Sequence, residues 1–190
     1  MKLSAQNKLP LDEPVKDFIP QFTGGGKEFV TIRHLLTHSA GLKPFDEYPL
    51  GTSTDEIISD IIEQPLIHAP GTVYEYSDFG PILAGKICEM VSGQSFDVLA
   101  SSLIFKPLGM KTTFYNPPIE KIKRIIPTEY SSLYGETIIG YVHDENAKSI
   151  GRIAGQAGLF STASDLSIFS QMMLNAVSYT HLTLPTILLV

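Results

Sequence analysis

Hydrophobic side chains recur at helical spacing in two segments of the chain, and each segment carries boundary signals. After Ser53 the apolar positions of one helical face are Ile57, Ile58, Ile61 and Ile62. Ser53 and Glu56 have the spacing of a capping box, in which each side chain bonds the backbone N–H of the other residue. The second face comprises Phe79, Ile82, Leu83, Ile87, Met90 and Val91. Gly93 follows as a C-cap, so the pattern predicts helices after Ser53 and from Phe79 to Ser92.

Shorter patterns predict three further helices and two strands. One helix begins at a Thr31 cap and ends before Gly41, a second is capped by Ser95 and stopped by Pro107, and a third opens with Thr162 and Asp165 and runs through Leu174. β-Branched and aromatic side chains predict strands over Lys111–Asn116 and Glu136–Val142. The expected architecture is α+β, with several short helices, long ordered loops and few strands.

The segment Tyr76-Ser77-Asp78 immediately precedes the second helix and admits two interpretations. Asp78 or Ser77 is a good N-cap for a helix that starts near Phe79, which is a purely structural role. A tyrosine near a cationic group can also have its pKa lowered and transfer protons in catalysis. The local sequence favours the capping role. Whether Tyr76 also transfers protons depends on the other segments of the chain.

Other residue patterns that resemble catalytic motifs are incomplete. His34 and His38 are four apart on a predicted helix, but Leu35 stands where a zinc peptidase motif has glutamate, so helix packing is the commoner explanation. Ser39 lacks the preceding glycine and strand of a nucleophile elbow. Gly26-Lys27 resembles a phosphate loop, but Glu28 replaces its Ser/Thr. The phosphate loop is therefore rejected, and helix packing is preferred to a metal site at the two histidines.

Composition narrows the class of protein. Of the 190 residues, 43% are hydrophobic and 18% are charged, which is typical of a folded domain. The net charge of −6 argues against a nucleic-acid partner, because such proteins cluster lysine and arginine. The single cysteine, Cys88, falls in an apolar helix pattern and is expected to fill the core. No apolar run approaches the ~20 residues of a membrane-spanning helix.

Five segments, in this order, resemble successive landmarks of the serine β-lactamase and penicillin-binding-protein-like family, in its class C β-lactamase and esterase branch. They are NKLPLDEPVKDFIPQF, TIRHLLTHSAGL, PGTVYEYSDFGPILAGKICEMVSGQSFD, PLGMKTTFYNP and AGLFSTASDLSIFSQMMLN. The resemblance covers essentially residues 3–175. It implies a β-lactamase/transpeptidase-like fold and acyl transfer through an active-site serine, acting on a small ester or amide or on a peptidoglycan-type peptide. It implies no cofactor, and a location in the bacterial cell envelope or outside the cell.

Within this resemblance, Tyr76 corresponds to the tyrosine that relays protons between nucleophile and leaving group. Asp78 stands where the family commonly has asparagine, which exchanges an amide donor for an anion. The resemblance therefore assigns Tyr76 and Asp78 as the catalytic residues of the chain. Two alternatives remain open: a non-catalytic module of the same fold that binds cell wall or acts as a scaffold, and a metal-dependent hydrolase that uses His34 and His38.

The chain departs from the family pattern at both ends. The S-x-x-K motif that carries the nucleophile is absent from residues 1–190. In the family it precedes a stretch like Lys8–Val15, and a late Lys-Thr-Gly-like strand would follow Asn175. The segment from Val177 resembles a translated sequencing-library adapter. We therefore expect residues 1–176 to be a partial, mainly helical domain that is inactive alone, and residues 177–190 to be an artefactual tail.

Overall fold

Helices account for most of the regular structure in the computed structural model, which describes residues 1–49, 52–132 and 134–175. The α-helices are α1 (Lys2–Ala5), α2 (Ile32–Leu36), α3 (Thr54–Glu63), α4 (Phe79–Ser92), α5 (Phe96–Ala100), α6 (Lys106–Leu108), α7 (Glu145–Ser149) and α8 (Ala163–Leu174). Single 3₁₀ segments lie at Val15–Asp17, Lys27–Phe29 and Ile119–Arg124, and a π-helical turn covers Ser101–Phe105. The helix-rich α+β prediction is confirmed in this part of the chain.

The strands are short and form two separate antiparallel pairs. They are β1 (Phe114–Tyr115) with β4 (Leu159–Phe160), and β2 (Tyr130–Ser131) with β3 (Glu136–Thr137). The predicted strands over 111–116 and 136–142 were therefore too long. Thr113 bonds Ser161 through its side chain rather than through a backbone ladder. Gly140 has a φ of 76°, a left-handed conformation that ends the second extended segment.

The core lies where α2, α3 and α4 meet. Its fully buried members include Phe22, Leu35, Ile57, Ile61, Phe79, Leu83 and Ile87. Helices α2 and α4 approach closely at Gly80, where a Cβ atom would lie 2.6 Å from the Leu35 carbonyl oxygen. Glycine is required there because any side chain would force the two helices apart. This contact fixes the start of α4, the position of the predicted Tyr76-Ser77-Asp78 site.

Two predicted helix starts are confirmed by their cap geometry. Ser53 accepts from the Glu56 N–H while the Glu56 carboxylate accepts from the Ser53 N–H, as the capping box requires. Thr31 accepts from the His34 N–H, and the His34 ring nitrogen Nδ1 accepts from the Thr31 N–H. In α3 the predicted apolar face packs inward, with Ile57 and Ile61 fully buried.

Three details of the predicted helices were wrong. Met90 is 52% exposed, because it lies in an open groove between α4 and α3 rather than in the core. Ser95 makes no side-chain cap bond, and the first N–H of α5, that of Phe96, donates to the Glu89 carboxylate. Pro107 does not stop its helix. The preceding turn is π-helical, which is wide enough for the proline ring, and the helix ends at Gly109.

Helix α8 begins as predicted, but its capping box is only half formed. The Thr162 hydroxyl accepts from the Asp165 N–H. The buried Asp165 carboxylate accepts from the Thr112 N–H at 2.7 Å and from the Thr113 hydroxyl at 2.8 Å. Burial acts to raise the pKa of Asp165, but these hydrogen bonds outweigh it and hold that pKa below its ordinary value. Asp165 thus connects α8 to the segment before β1.

Cys88 is partly buried against the core, and burial raises the pKa of its thiol, in agreement with a packing role. None of the helices within the described ranges is both long and apolar enough to cross a membrane. The predicted tail from Val177 onward lies outside the described residues.

Candidate active site

Tyr76, Ser77 and Asp78 lie at the start of α4, and the loop that contains Lys43 and Pro44 holds two of them. The Ser77 hydroxyl donates to the Lys43 carbonyl oxygen at 2.7 Å. The Asp78 N–H donates to the Pro44 carbonyl oxygen at 2.8 Å. Ser77 is buried, whereas Tyr76 is 57% exposed. The backbone of this segment is therefore fixed while the Tyr76 ring faces solvent, where a substrate can reach it.

The predicted capping role of Ser77 or Asp78 was wrong. Asp78 occupies the N-cap position of α4, but it has helical backbone angles and makes no side-chain hydrogen bond to the helix. The Ser77 hydroxyl is used by the Lys43 carbonyl, which is distant in sequence. Hydrogen bonds to the distant 43–44 segment thus replace the local cap. The Asp78 carboxylate makes no bond to the α4 backbone.

His38 orients this segment. Its backbone is left-handed, with a φ of 53°, which turns the chain toward α4. Its ring nitrogen Nδ1 accepts from the Ser77 N–H at 3.2 Å. The His38 ring lies 4.7 Å from the Tyr76 ring, centroid to centroid, and meets the Tyr74 ring edge-on at 6.0 Å. Contact between these rings restricts the Tyr76 side chain to one side of His38.

The electrostatic surroundings of Tyr76 differ from the sequence-based interpretation. A nearby cation was expected to lower the pKa of Tyr76, but the negative charge of Asp78, followed by burial, raises it above its ordinary value. The pKa of Asp78 is also raised, first by burial and then by the charge of Asp144. A tyrosine is protonated at neutral pH at its ordinary pKa, and the upward shift acts in the same direction, so Tyr76 can serve as a proton donor.

A cleft of about 400 Å³ opens beside Asp78. Its lining residues are Phe45, Asp46, Glu47, Tyr48, Asp78, Asp144, Glu145 and Asn146. The segment that begins at His143 was assigned no role from the sequence. His143 itself turns away and bonds the exposed Glu129 carboxylate at 2.6 Å. Asp144 and Asn146, in contrast, form the wall of the cleft opposite the start of α4.

Hydrogen bonds made by the 43–46 loop connect the two walls of this cleft. Asp46 pairs with Lys43, and its carboxylate accepts from the Gln64 side chain at the end of α3 at 2.6 Å. Its carbonyl oxygen accepts from the Asn146 side chain at 2.9 Å. The same loop thus contacts α3, α4 and α7, and it sets the distance between the two walls of the cleft.

The two histidines of the metal hypothesis have separate roles. His34 uses Nδ1 to complete the cap of α2, and its Nε2 lies near Gly71. His38 uses Nδ1 to hold Ser77. Across residues 1–49, 52–132 and 134–175 there is no group of three or more histidine, cysteine or acidic side chains that could bind a metal ion. Each ring thus accepts a backbone N–H, from Thr31 within the same helix start for His34 and from the distant Ser77 for His38.

The pKa of Tyr76 gives a direct test of this arrangement. In the 190-residue chain, Asp78→Asn is expected to lower the pKa of Tyr76 toward that of a free tyrosine, because the neighbouring negative charge is removed. The measurement is a pH titration of ¹³C-labelled tyrosine rings by NMR. Asp60→Asn is the matched control, since the Tyr48 hydroxyl donates to Asp60 at 2.6 Å. It should leave the Tyr76 midpoint unchanged, and an unchanged Tyr76 midpoint in Asp78→Asn would contradict the assigned cause.

Known bacterial proteins are similar to this chain over nearly its whole length. The Beta-lactamase family model matches residues 1–186. The chain is 32% identical over 206 residues to an Escherichia coli K12 protein named “Putative D-alanyl-D-alanine carboxypeptidase”, covering 94% of the chain and 48% of that protein. It is 33% identical over 211 residues to the N-acetylmuramyl-L-alanine amidase of Bacillus subtilis 168, covering 96% of the chain and 48% of that relative.

A solved structure has the same fold. The class C β-lactamase of Rhodobacter sphaeroides superimposes with a TM-score of 0.73 at 21% identity, covering 91% of this chain and 46% of that one. The chain spans about half the length of the curated relatives it matches. The β-lactamase/transpeptidase-like fold predicted from the ordered segments is therefore confirmed for this half, and the chain belongs to the β-lactamase family.

Proposed function

We propose that the protein of which this chain forms a part is an active-site serine hydrolase that cleaves an ester or amide bond through an acyl-serine. The observation that carries the proposal is the exposed Tyr76 side chain, two residues before Asp78, which lines an open cleft, while Ser77 and Asp78 are fixed at the start of α4. A rigid platform with a solvent-facing tyrosine suits proton transfer, because the hydroxyl needs a fixed position relative to the reacting atoms.

Tyr76 acts in this mechanism as the proton relay. The hydroxyl is protonated at neutral pH, as for any tyrosine whose pKa is not lowered, so it donates to the leaving group as the acyl-serine forms and takes up the serine proton in exchange. No S-x-x-K motif occurs within residues 1–190, and we place its serine and lysine in another part of the whole protein. In the whole protein a lysine ammonium beside Tyr76 would oppose the effect of Asp78 on the pKa of Tyr76. In the second half-reaction the tyrosine would take a proton from the attacking water and donate one to the serine oxygen.

The proposed substrates are peptidoglycan-type peptides or related small esters and amides. The names of the two relatives refer to D-alanyl-D-alanine and N-acetylmuramyl-L-alanine linkages, and both are acyl compounds. A cleft of about 400 Å³ is large enough for part of a peptide. In this proposal residues 1–176 form part of the hydrolase domain, and residues 177–190 are a tail without a functional role.

The test compares the chain with the full-length protein encoded by its natural gene. The gene is expected to encode S-x-x-K shortly before Lys8. The full-length protein should hydrolyse p-nitrophenyl acetate, and replacement of the motif serine by alanine should abolish the burst of acyl-enzyme formation. The purified 190-residue chain should give no turnover above buffer. A natural gene without the motif, together with binding to purified cell wall and no hydrolysis, would overturn the proposal in favour of a binding module.

A further inference from the structure

The cleft beside Asp78 is rich in hydrogen-bond acceptors and poor in donors. Five of its lining side chains are carboxylates: Asp46, Glu47, Asp78, Asp144 and Glu145. Ionised carboxylates accept hydrogen bonds but donate none. A peptide presents both N–H groups and carbonyl oxygens, so carboxylates alone leave its carbonyl oxygens without partners. A peptide that is buried in such a cleft would lose affinity for each carbonyl left unpaired.

Two side chains that line the cleft carry donors: Tyr48 and Asn146. The Tyr48 hydroxyl is already used, because it donates to the Asp60 carboxylate at 2.6 Å. Asn146 has two amide N–H groups, and the Asp46 carbonyl oxygen at 2.9 Å needs only one of them. Among the described residues that line this cleft, Asn146 is therefore the side chain with a donor to spare.

Asn146 is held firmly enough to select a ligand. It lies in the first turn of α7 and is only 7% exposed. The next residue, Ala147, is fully buried, and its N–H donates to the Asp144 carboxylate at 2.6 Å. The bond from Asn146 to Asp46 fixes the amide relative to the loop that also holds Ser77 and Asp78. Its orientation is therefore set before a substrate arrives, which lowers the entropic cost of binding.

We propose that Asn146 is a specificity-determining residue, whose free amide N–H donates to a peptide carbonyl other than the one under attack. The inference rests on the proposed acyl transfer and deepens it, because it commits the cleft to peptide-type acyl groups. A simple ester such as p-nitrophenyl acetate has no second carbonyl and cannot use this contact. Asn146 thus raises the preference for peptides over simple esters without taking part in proton transfer.

The experiment uses the full-length protein and two probes, an N-acylated peptide that ends in D-alanyl-D-alanine, and p-nitrophenyl acetate. Asn146→Ala is expected to lower kcat/KM for the peptide about tenfold, mainly through KM, and to change the value for the ester less than about twofold. Asn146→Asp removes the same donor while keeping the side-chain shape, and it should shift the peptide-to-ester ratio in the same direction. That ratio is independent of the folded fraction of each preparation.

Ser149→Ala, in the last turn of α7, is the matched control and should leave the ratio unchanged. Equal losses for both probes in Asn146→Ala would overturn the inference, because a merely structural role acts on both. Wild-type protein that hydrolyses the ester but not the peptide would overturn it while leaving the proposed ester hydrolysis in place. Wild-type protein that hydrolyses neither would overturn the proposed function, and the inference with it.

Discussion

Replacing Tyr76 by phenylalanine in the full-length protein is expected to lower kcat about 10²- to 10⁴-fold, the usual contribution of a positioned general acid or base. The change removes one oxygen atom from a side chain that is 57% exposed, so the fold should be unaffected. KM for p-nitrophenyl acetate should change little, because the hydroxyl transfers a proton in the transition state and does not contribute to binding of the ester. Steady-state and burst-phase kinetics measure both quantities.

Tyr74→Phe is the matched control for this experiment. Tyr74 lies two residues earlier, is 70% exposed and meets the same His38 ring edge-on. It shares the surface exposure and the His38 contact of Tyr76, but the family resemblance assigns it no role in proton transfer. We expect Tyr74→Phe to keep activity within about twofold. Equal losses in both variants, or full activity in Tyr76→Phe, would remove Tyr76 from the mechanism.

The parts of the fold that the sequence predicts well depend on neighbouring residues. The capping box at Ser53 and the inward face of α3 follow from spacings of three and four residues, which the helix itself imposes. The same holds for the Thr31 cap and for the glycine that ends α4. These features need no information about the rest of the chain, and all of them are present in the structure.

The errors arise where a distant segment competes for a local group. Ser77 is a good cap by composition, but the Lys43 carbonyl takes its hydroxyl. Asp165 has capping-box spacing, but Thr112 and Thr113 take its carboxylate. Spacing along the chain cannot reveal these partners, because tertiary contacts override local preference.

The same limit applies to the candidate site. Tyr76 and Asp78 could be proposed from the sequence, because the order of the surrounding segments resembles a known family. Asn146 could not, because its link to the site is a hydrogen bond to Asp46, which is 100 residues away in the chain. A signal was nonetheless present. The polar run from His143 is flanked by apolar positions, and Val142 and Ala147 are both buried in the structure.

The 43–46 loop emerges as the element on which the candidate site depends. It receives hydrogen bonds from Ser77 and Asp78 on one side and from Asn146 on the other. A shift of this loop would therefore move the proton donor and the proposed specificity residue together. The chain enters the loop at Gly41, whose carbonyl oxygen accepts from the Ile67 N–H at 2.7 Å. The packing at Gly41 is thus coupled to the site even though Gly41 does not line the cleft.

Gly41→Ala is expected to lower the free energy of unfolding of the 190-residue chain by about 4 kcal/mol, a large part of the stability of a typical domain. A Cβ atom at this position would lie 2.0 Å from the His68 carbonyl oxygen, which is far inside van der Waals contact. Gly41 also has a φ of 78°, a left-handed conformation that costs an alanine about 1 kcal/mol before any clash. Urea unfolding followed by circular dichroism measures the loss.

Gly93→Ala separates the clash from the backbone strain. Gly93 has a similar φ of 67°, but no atom lies within 4 Å of the position that an alanine Cβ would take there. The cost at Gly93 should be the left-handed strain alone, about 1 kcal/mol. The excess loss in Gly41→Ala then measures how tightly the segment around His68 packs against the entry to the 43–46 loop. Equal losses in the two variants would mean that this segment yields without cost, and the loop would then lack the rigid support that the candidate site requires.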